Sequence, residues 1–203
     1  MAVPSQTALN PSAMADHLLA GGAAAMPTDT LPALVSAPRH AGQLWTLKQR
    51  PSEKPFILMA ANTEDLLALA QPKAADAARS LAGLHWPGAL TLVLPMRADG
   101  FPQALVRALN PGATTLGLRV PNSAQARHLL ACTGPLATTS ANPSGQPAAL
   151  SPDEIRTYFP GLPLLAPLNW DPPGGYASTV LAWDGAQGWR ILRKGAVMPD
   201  GVG

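Results

Sequence analysis

The sequence predicts a single α/β domain on a twisted sheet of mixed parallel and antiparallel strands, and three features carry that prediction. Short runs that are almost wholly apolar, such as ALTLVL at 89–94, read as strands buried on both faces. Alanine-rich stretches, notably 73–84, read as helices because alanine has the highest helix propensity. The two kinds of segment mix without strict alternation, which implies both strand senses in one sheet. A length of 203 residues suits one domain with a sizeable core, expected over 1–203 with its core at about 10–196.

In order along the chain, 12–20 reads as a helix, followed by a small apolar strand ending at Met26. A helix is expected over 40–48, closed by Lys48-Gln49-Arg50-Pro51, then a strand at 56–60 and helices at 63–70 and 73–84. Strands follow at 89–94 and 116–120, then a helix at 123–132 and a strand at 136–139. The helix expected at 153–159 opens on Ser151-Pro152-Asp153-Glu154, where acidic side chains complement the positive end of the helix dipole. The last strands are expected at 162–168, 178–183 and 189–193, with a flexible turn at 169–176 around Pro172-Pro173-Gly174-Gly175. Twenty-three prolines would signal a linker if clustered, but Pro27, Pro51, Pro55, Pro87, Pro95, Pro121, Pro143 and Pro147 stand beside apolar runs and mark element boundaries.

Composition narrows the function classes. The chain is 47% hydrophobic and 13% charged, the reverse of a disordered segment. Its apolar runs fall well short of the roughly 20 residues that a membrane helix needs. The first 25 residues hold no Lys or Arg, which argues against a secretory or transit peptide. One cysteine, Cys132, excludes an internal disulfide and fits a reducing cytoplasm. A net charge of +2, with no dense basic run, is thin for a protein that binds nucleic acid electrostatically.

The common phosphate-loop, dinucleotide and nucleophile-elbow motifs are missing. The four histidines lie apart without metal-ligand spacing, and no carboxylate pair suggests acid–base work. What remains is a set of polar residues where apolar elements end: Thr28 and Thr30, Lys48 and Arg50, Arg119, Ser140 and Asn142, Ser178, and Arg193. Taken alone, Lys48 and Arg50 would complement a helix C-terminus, and the Ser140 segment would satisfy its own backbone. Arg119 resists so plain a reading. Alternation places it on one strand face with Thr115 and Gly117, where the glycine is expected to leave open space. A buried guanidinium there needs a partner with planar oxygens, a carboxylate or a phosphate, which a ligand could supply. A cavity lined by these cations and hydroxyls suits a polyphosphate substrate, because nucleotidyl transfer asks the protein mainly for positioning and charge stabilisation.

Eight segments resemble the YrdC-like family, the threonylcarbamoyl-AMP synthases of tRNA modification: PTDT at 27–30, LKQRP at 47–51, KPFILMAAN at 54–62, WPGALTLVL at 86–94, LRVP at 118–121, TSANPSG at 139–145, STV at 178–180 and LRKG at 192–195. They stand in the family's order and span most of the chain, and the length resembles its short single-domain bacterial form. The resemblance implies a sheet curled around a basic cavity. It also implies a reaction in which L-threonine, bicarbonate and ATP give threonylcarbamoyl-AMP and pyrophosphate. Partner proteins would then transfer the threonylcarbamoyl group to the tRNA adenosine next to the anticodon. The family's catalytic Lys, Arg, Ser and Asn fall on Lys48, Arg50, Ser140 and Asn142, which with Arg193 would bind ATP. Thr28, Thr30, Thr115, Arg119 and Ser178 would shape the threonine and carbamate site. Magnesium would arrive with ATP, held by phosphate oxygens and water, without a protein cage.

One departure stands out. The family continues PTDT with a hydrophobic residue, an aromatic and a glycine, whereas this chain reads Leu31-Pro32-Ala33. That change motivates one alternative, a carbamoyl-adenylate enzyme acting on another amine. The other alternative is a non-catalytic RNA-binding or assembly factor on the same fold.

Overall fold

The computed structural model describes residues 7–49, 54–99 and 102–202. The first half of the chain supplies β1 (Ala8–Leu9), α1 (Pro11–Leu19), β2 (Ala23–Met26), β3 (Ala33–Ser36), α2 (Gly42–Lys48), β4 (Ile57–Met59), α3 (Thr63–Leu67), α4 (Pro72–His85) and β5 (Leu90–Pro95). The second half supplies α5 (Gln103–Leu109), β6 (Thr115–Arg119), α6 (Ala124–Thr133), β7 (Leu136–Ser140), α7 (Pro152–Tyr158), β8 (Leu164–Leu165), β9 (Thr179–Trp183) and β10 (Trp189–Arg193). All the strands join one sheet in the order β1-β8-β2-β3-β7-β4-β6-β5-β9-β10. Parallel pairs such as β4–β6 and β5–β9 alternate with antiparallel ones such as β3–β7 and β5–β6, so the sheet is mixed as expected.

Side-chain alternation divides the core into two layers. Ala25, Leu34, Leu58, Leu92, Leu118 and Leu181 face one layer, which also takes in residues of α2, α3, α4, α5 and α7. Met26, Val35, Met59 and Leu136 face the other, packed against Met14 and Leu18 of α1 and Leu129 and Leu130 of α6. Helices start where short polar side chains cap them: Asn10, Asn62, Ser123 and Ser151 each accept a bond from a backbone N–H in the first turn. No helix among the described residues is long and apolar enough to cross a membrane.

The structure departs from several expectations. β3 and α5 were not foreseen, and neither was β1. The strand expected at 162–168 shrinks to Leu164–Leu165, because Pro163 and Pro167 flank it and cannot donate to a ladder. Leu31-Pro32-Ala33 runs straight into a strand: Ala33 opens β3 and pairs with Ser140, so an ordinary residue fits there without a glycine's freedom. The 169–176 turn is anchored: Gly174 N–H donates to the Asp29 carbonyl (3.0 Å) and Gly175 N–H to that of Thr30 (3.1 Å).

Candidate active site

Arg119 ends β6 on the face it shares with Gly117, and only 2% of it is exposed. Its Nε donates to the Gly88 carbonyl (2.9 Å), Nη1 to Thr30 Oγ1 (2.7 Å) and Nη2 to Asp29 Oδ1 (2.7 Å). The planar oxygen partner is therefore a carboxylate of this chain. Asp29 Oδ1 also accepts from the Asn122 N–H (2.9 Å), which fixes the carboxylate at the start of the segment leading into α6. Burial lowers the guanidinium's affinity for its proton, the Asp29 charge opposes that, and the nearby Arg193 charge adds to the lowering. The open space expected at Gly117 is not there. A Cβ at that position would meet Thr91 Cγ2 at 3.1 Å and Ile57 Cγ1 at 3.5 Å, so the glycine lets the neighbouring strands' side chains close over the sheet.

The 27–30 segment is stiffened by its own hydroxyls. Thr28 Oγ1 donates to the Leu31 carbonyl (2.7 Å) and accepts from the Thr30 N–H (3.2 Å). Because the Thr28 proton is committed to Leu31, the 3.0 Å contact between the two hydroxyls is donated by Thr30. Thr30 is thus held with its oxygen accepting from Arg119, and Thr28 stands behind it.

The end of α2 and the segment after β7 form a second cluster. Lys48 is only 3% exposed, and its ammonium donates to the carbonyls of Ser140 and Asn142 and to Asn142 Oδ1. Ser140 Oγ donates to the same amide oxygen (2.7 Å), while Asn142 Nδ2 donates to the Gln146 carbonyl (2.6 Å). The Ser144 N–H returns to the Lys48 carbonyl (2.8 Å), so helix end and loop hold each other. Arg50, the remaining member of the expected tetrad, lies outside the described residues.

Ser178 and Arg193 close the other side. Ser178 Oγ pairs with Thr91 Oγ1 (2.8 Å), and Arg193 forks onto the Ser178 carbonyl through Nε (3.1 Å) and Nη2 (2.9 Å). Partial burial lowers the pKa of the Arg193 guanidinium. Gly195 makes this approach possible: a Cβ there would stand 2.3 Å from the Ala177 carbonyl oxygen and 2.4 Å from the Ser178 carbonyl carbon. Those are backbone atoms and cannot step aside. Gly195→Ala is expected to destabilise the protein by about 1–3 kcal/mol, as overpacking does. It should also pull Arg193 away from the Ser178 carbonyl, and thermal unfolding measures the loss of stability.

Thr30, Ser140, Ser178, Arg119 and Arg193 line one cavity of about 170 Å³, whose apolar lining includes Leu31, Ala33, Ile57 and Met59. Lys48 and Asn142 stand behind Ser140, and Thr28 behind Thr30. Thr115 is not brought to this cavity. It lies four residues back along β6, about 13 Å from Arg119 at the rise of an extended strand. The reading from sequence passed over Asp29, Thr91 and Gly195. Asp29 was in plain view inside PTDT, but its bond to Arg119 spans 90 positions of chain.

A family model described as telomere recombination (Sua5/YciO/YrdC) matches residues 16–195. A Marinobacter nauticus protein named threonylcarbamoyl-AMP synthase is 38% identical over 146 residues, 70% of this chain and 74% of that protein. A Bacillus subtilis protein of the same name is 32% identical over 163 residues, covering 78% of this chain and 45% of the relative. Among solved structures, Pyrococcus abyssi Sua5 (named P. abyssi Sua5 complexed with L-threonine) superposes with a TM-score of 0.81 at 27% identity. That match covers 93% of this chain but 57% of Sua5, so the chain spans little more than half of that protein. Escherichia coli YciO shares the fold at a TM-score of 0.75 and 20% identity, covering 94% of this chain and 95% of YciO. The chain belongs to the Sua5/YciO/YrdC family and, with its threonylcarbamoyl-AMP synthase relatives, to enzymes of the nucleotidyltransferase type.

Proposed function

We propose that this protein is an L-threonylcarbamoyladenylate synthase, and one observation carries the reading. Hydroxyl side chains of Thr30, Thr138, Thr139, Ser140 and Ser178 and two guanidinium groups converge on one cavity, with the Lys48–Ser140–Asn142 cluster adjoining it. The names of the relatives and the threonine complex of Sua5 support the same substrate class.

In the proposed reaction the threonine amine adds to the carbon of bicarbonate with loss of water, giving a carbamate. A carbamate oxygen then attacks the α-phosphorus of ATP, the bond to the β-phosphate oxygen breaks, and pyrophosphate leaves. The attacking group is already an anion, so the step needs charge stabilisation more than a protein base. That suits a cavity behind whose Arg119 stands the nearest carboxylate partner, Asp29, itself engaged by Arg119 and the Asn122 N–H. Arg119, Thr30 and Ser178 would hold threonine and its carbamate, with Thr28 acting through Thr30. Lys48, Ser140, Asn142 and Arg193 would receive the adenylate and phosphates, together with Arg50.

Magnesium would arrive with ATP as part of the substrate, held by phosphate oxygens and water. The product would pass to partner proteins that modify tRNA. Pyrophosphate release from ATP tests the reading. It should require both threonine and bicarbonate, and release that ignores either one would contradict the reading.

A further inference from the structure

Two arginines face the cavity, yet they are not equivalent. Arg119 is bonded through all three of its nitrogens, and one of those bonds goes to a carboxylate. Arg193 commits Nε and Nη2 to Ser178, while its Nη1 donates to no group among the described residues. Among those residues no carboxylate lies within ion-pairing distance of Arg193, and Asp29 is the carboxylate paired with Arg119. The carboxylate side chain is 18% exposed and its guanidinium partner 3%, so solvent screens their charges weakly. Charge at Asp29 therefore bears directly on how strongly the cavity attracts a polyanion.

Resting on the reading above, we propose that Asp29 is a positioning residue that sets the strength of pyrophosphate binding by offsetting Arg119, leaving Arg193 as the anion anchor. The pairing fixes Arg119 in place and lowers the positive field acting on the leaving group. Pyrophosphate carries several negative charges, so an extra uncompensated cation in the cavity would slow its departure. This effect runs opposite to structural damage: removing the Asp29 charge should tighten anion binding, whereas a disordered site would loosen it.

Isothermal titration with magnesium pyrophosphate measures the effect without turnover. Asp29→Asn keeps an oxygen to accept from Arg119 and Asn122, and should bind pyrophosphate roughly tenfold more tightly than the wild type, because it removes a unit charge from a weakly screened, partly buried site. Asp29→Glu should stay within about twofold of the wild type, because the charge is kept. Arg119→Met should weaken binding roughly tenfold, and the double variant Asp29→Asn/Arg119→Met should return close to the wild-type value. A folded Asp29→Asn protein with unchanged or weaker affinity overturns the proposal. If that variant does not fold, the other pair decides: a double variant as weak as Arg119→Met overturns it. Absence of wild-type pyrophosphate binding also overturns it. Failure of the synthase reading shows separately, as absence of adenylate formation in the wild-type protein.

Discussion

Lys48→Ala is expected to cut threonylcarbamoyl-AMP formation by about a hundred- to a thousandfold while the protein still unfolds cooperatively. Removing the side chain deletes a cation next to the phosphate region and leaves the Ser140 and Asn142 carbonyls and the Asn142 amide oxygen facing one another in a buried space. Those oxygens currently share one ammonium, and without it their mutual repulsion opens the segment after β7. Ser140 then loses its orientation as well, since its hydroxyl donates to the same Asn142 oxygen. Lys48→Arg should rescue poorly, because a planar fork cannot direct donors at oxygens grouped around a single point. Adduct yield per folded molecule, normalised by circular dichroism, checks both variants.

Asp29→Ala or Arg119→Ala is expected to lower stability by about 3–5 kcal/mol, since each leaves an uncompensated charge in a nearly dry site. The larger loss should come from Asp29→Ala, which strands a guanidinium that is itself 2% exposed. The pair joins three parts of the chain, the 27–30 segment, the end of β6 and the entry to α6, so its loss loosens all three. Replacing both residues with apolar ones of similar volume should restore most of the stability but not the synthase activity. Thermal melts of the two single variants and the double variant give the sign and size of each effect.

Much of this site was legible because its residues sit where apolar runs stop, and sheet alternation alone placed Arg119 beside Gly117 on a face away from Leu118. That 89–94 is a strand followed from its almost wholly apolar run, and β5 sets Leu92 opposite Leu118, although Val93 and Pro95 stay half-buried. What escaped was of two kinds. Elements of two to seven residues, such as Ala8–Leu9, Ala33–Ser36 and Gln103–Leu109, are too short for a period to declare itself and are held by the strands and helices around them. Contacts across long stretches of sequence escaped as well. Gly117 signalled close packing where an open space was read, and PTDT concealed the carboxylate that Arg119 required. Thr115 shares a strand face with Arg119, but sharing a face does not bring residues four positions apart in a strand to one cavity.

On the proposed reading, this cavity joins threonine, bicarbonate and ATP into one adenylate. Mass spectrometry of the purified protein with Mg–ATP, bicarbonate and L-threonine tests it most directly, alongside controls that omit each reactant and a panel of other amino acids. A threonylcarbamoyl-adenylate mass should appear and should disappear whenever threonine or bicarbonate is left out. A carbamoyl-adenylate formed only with a different amine, or no adduct from protein that binds ATP, would contradict it.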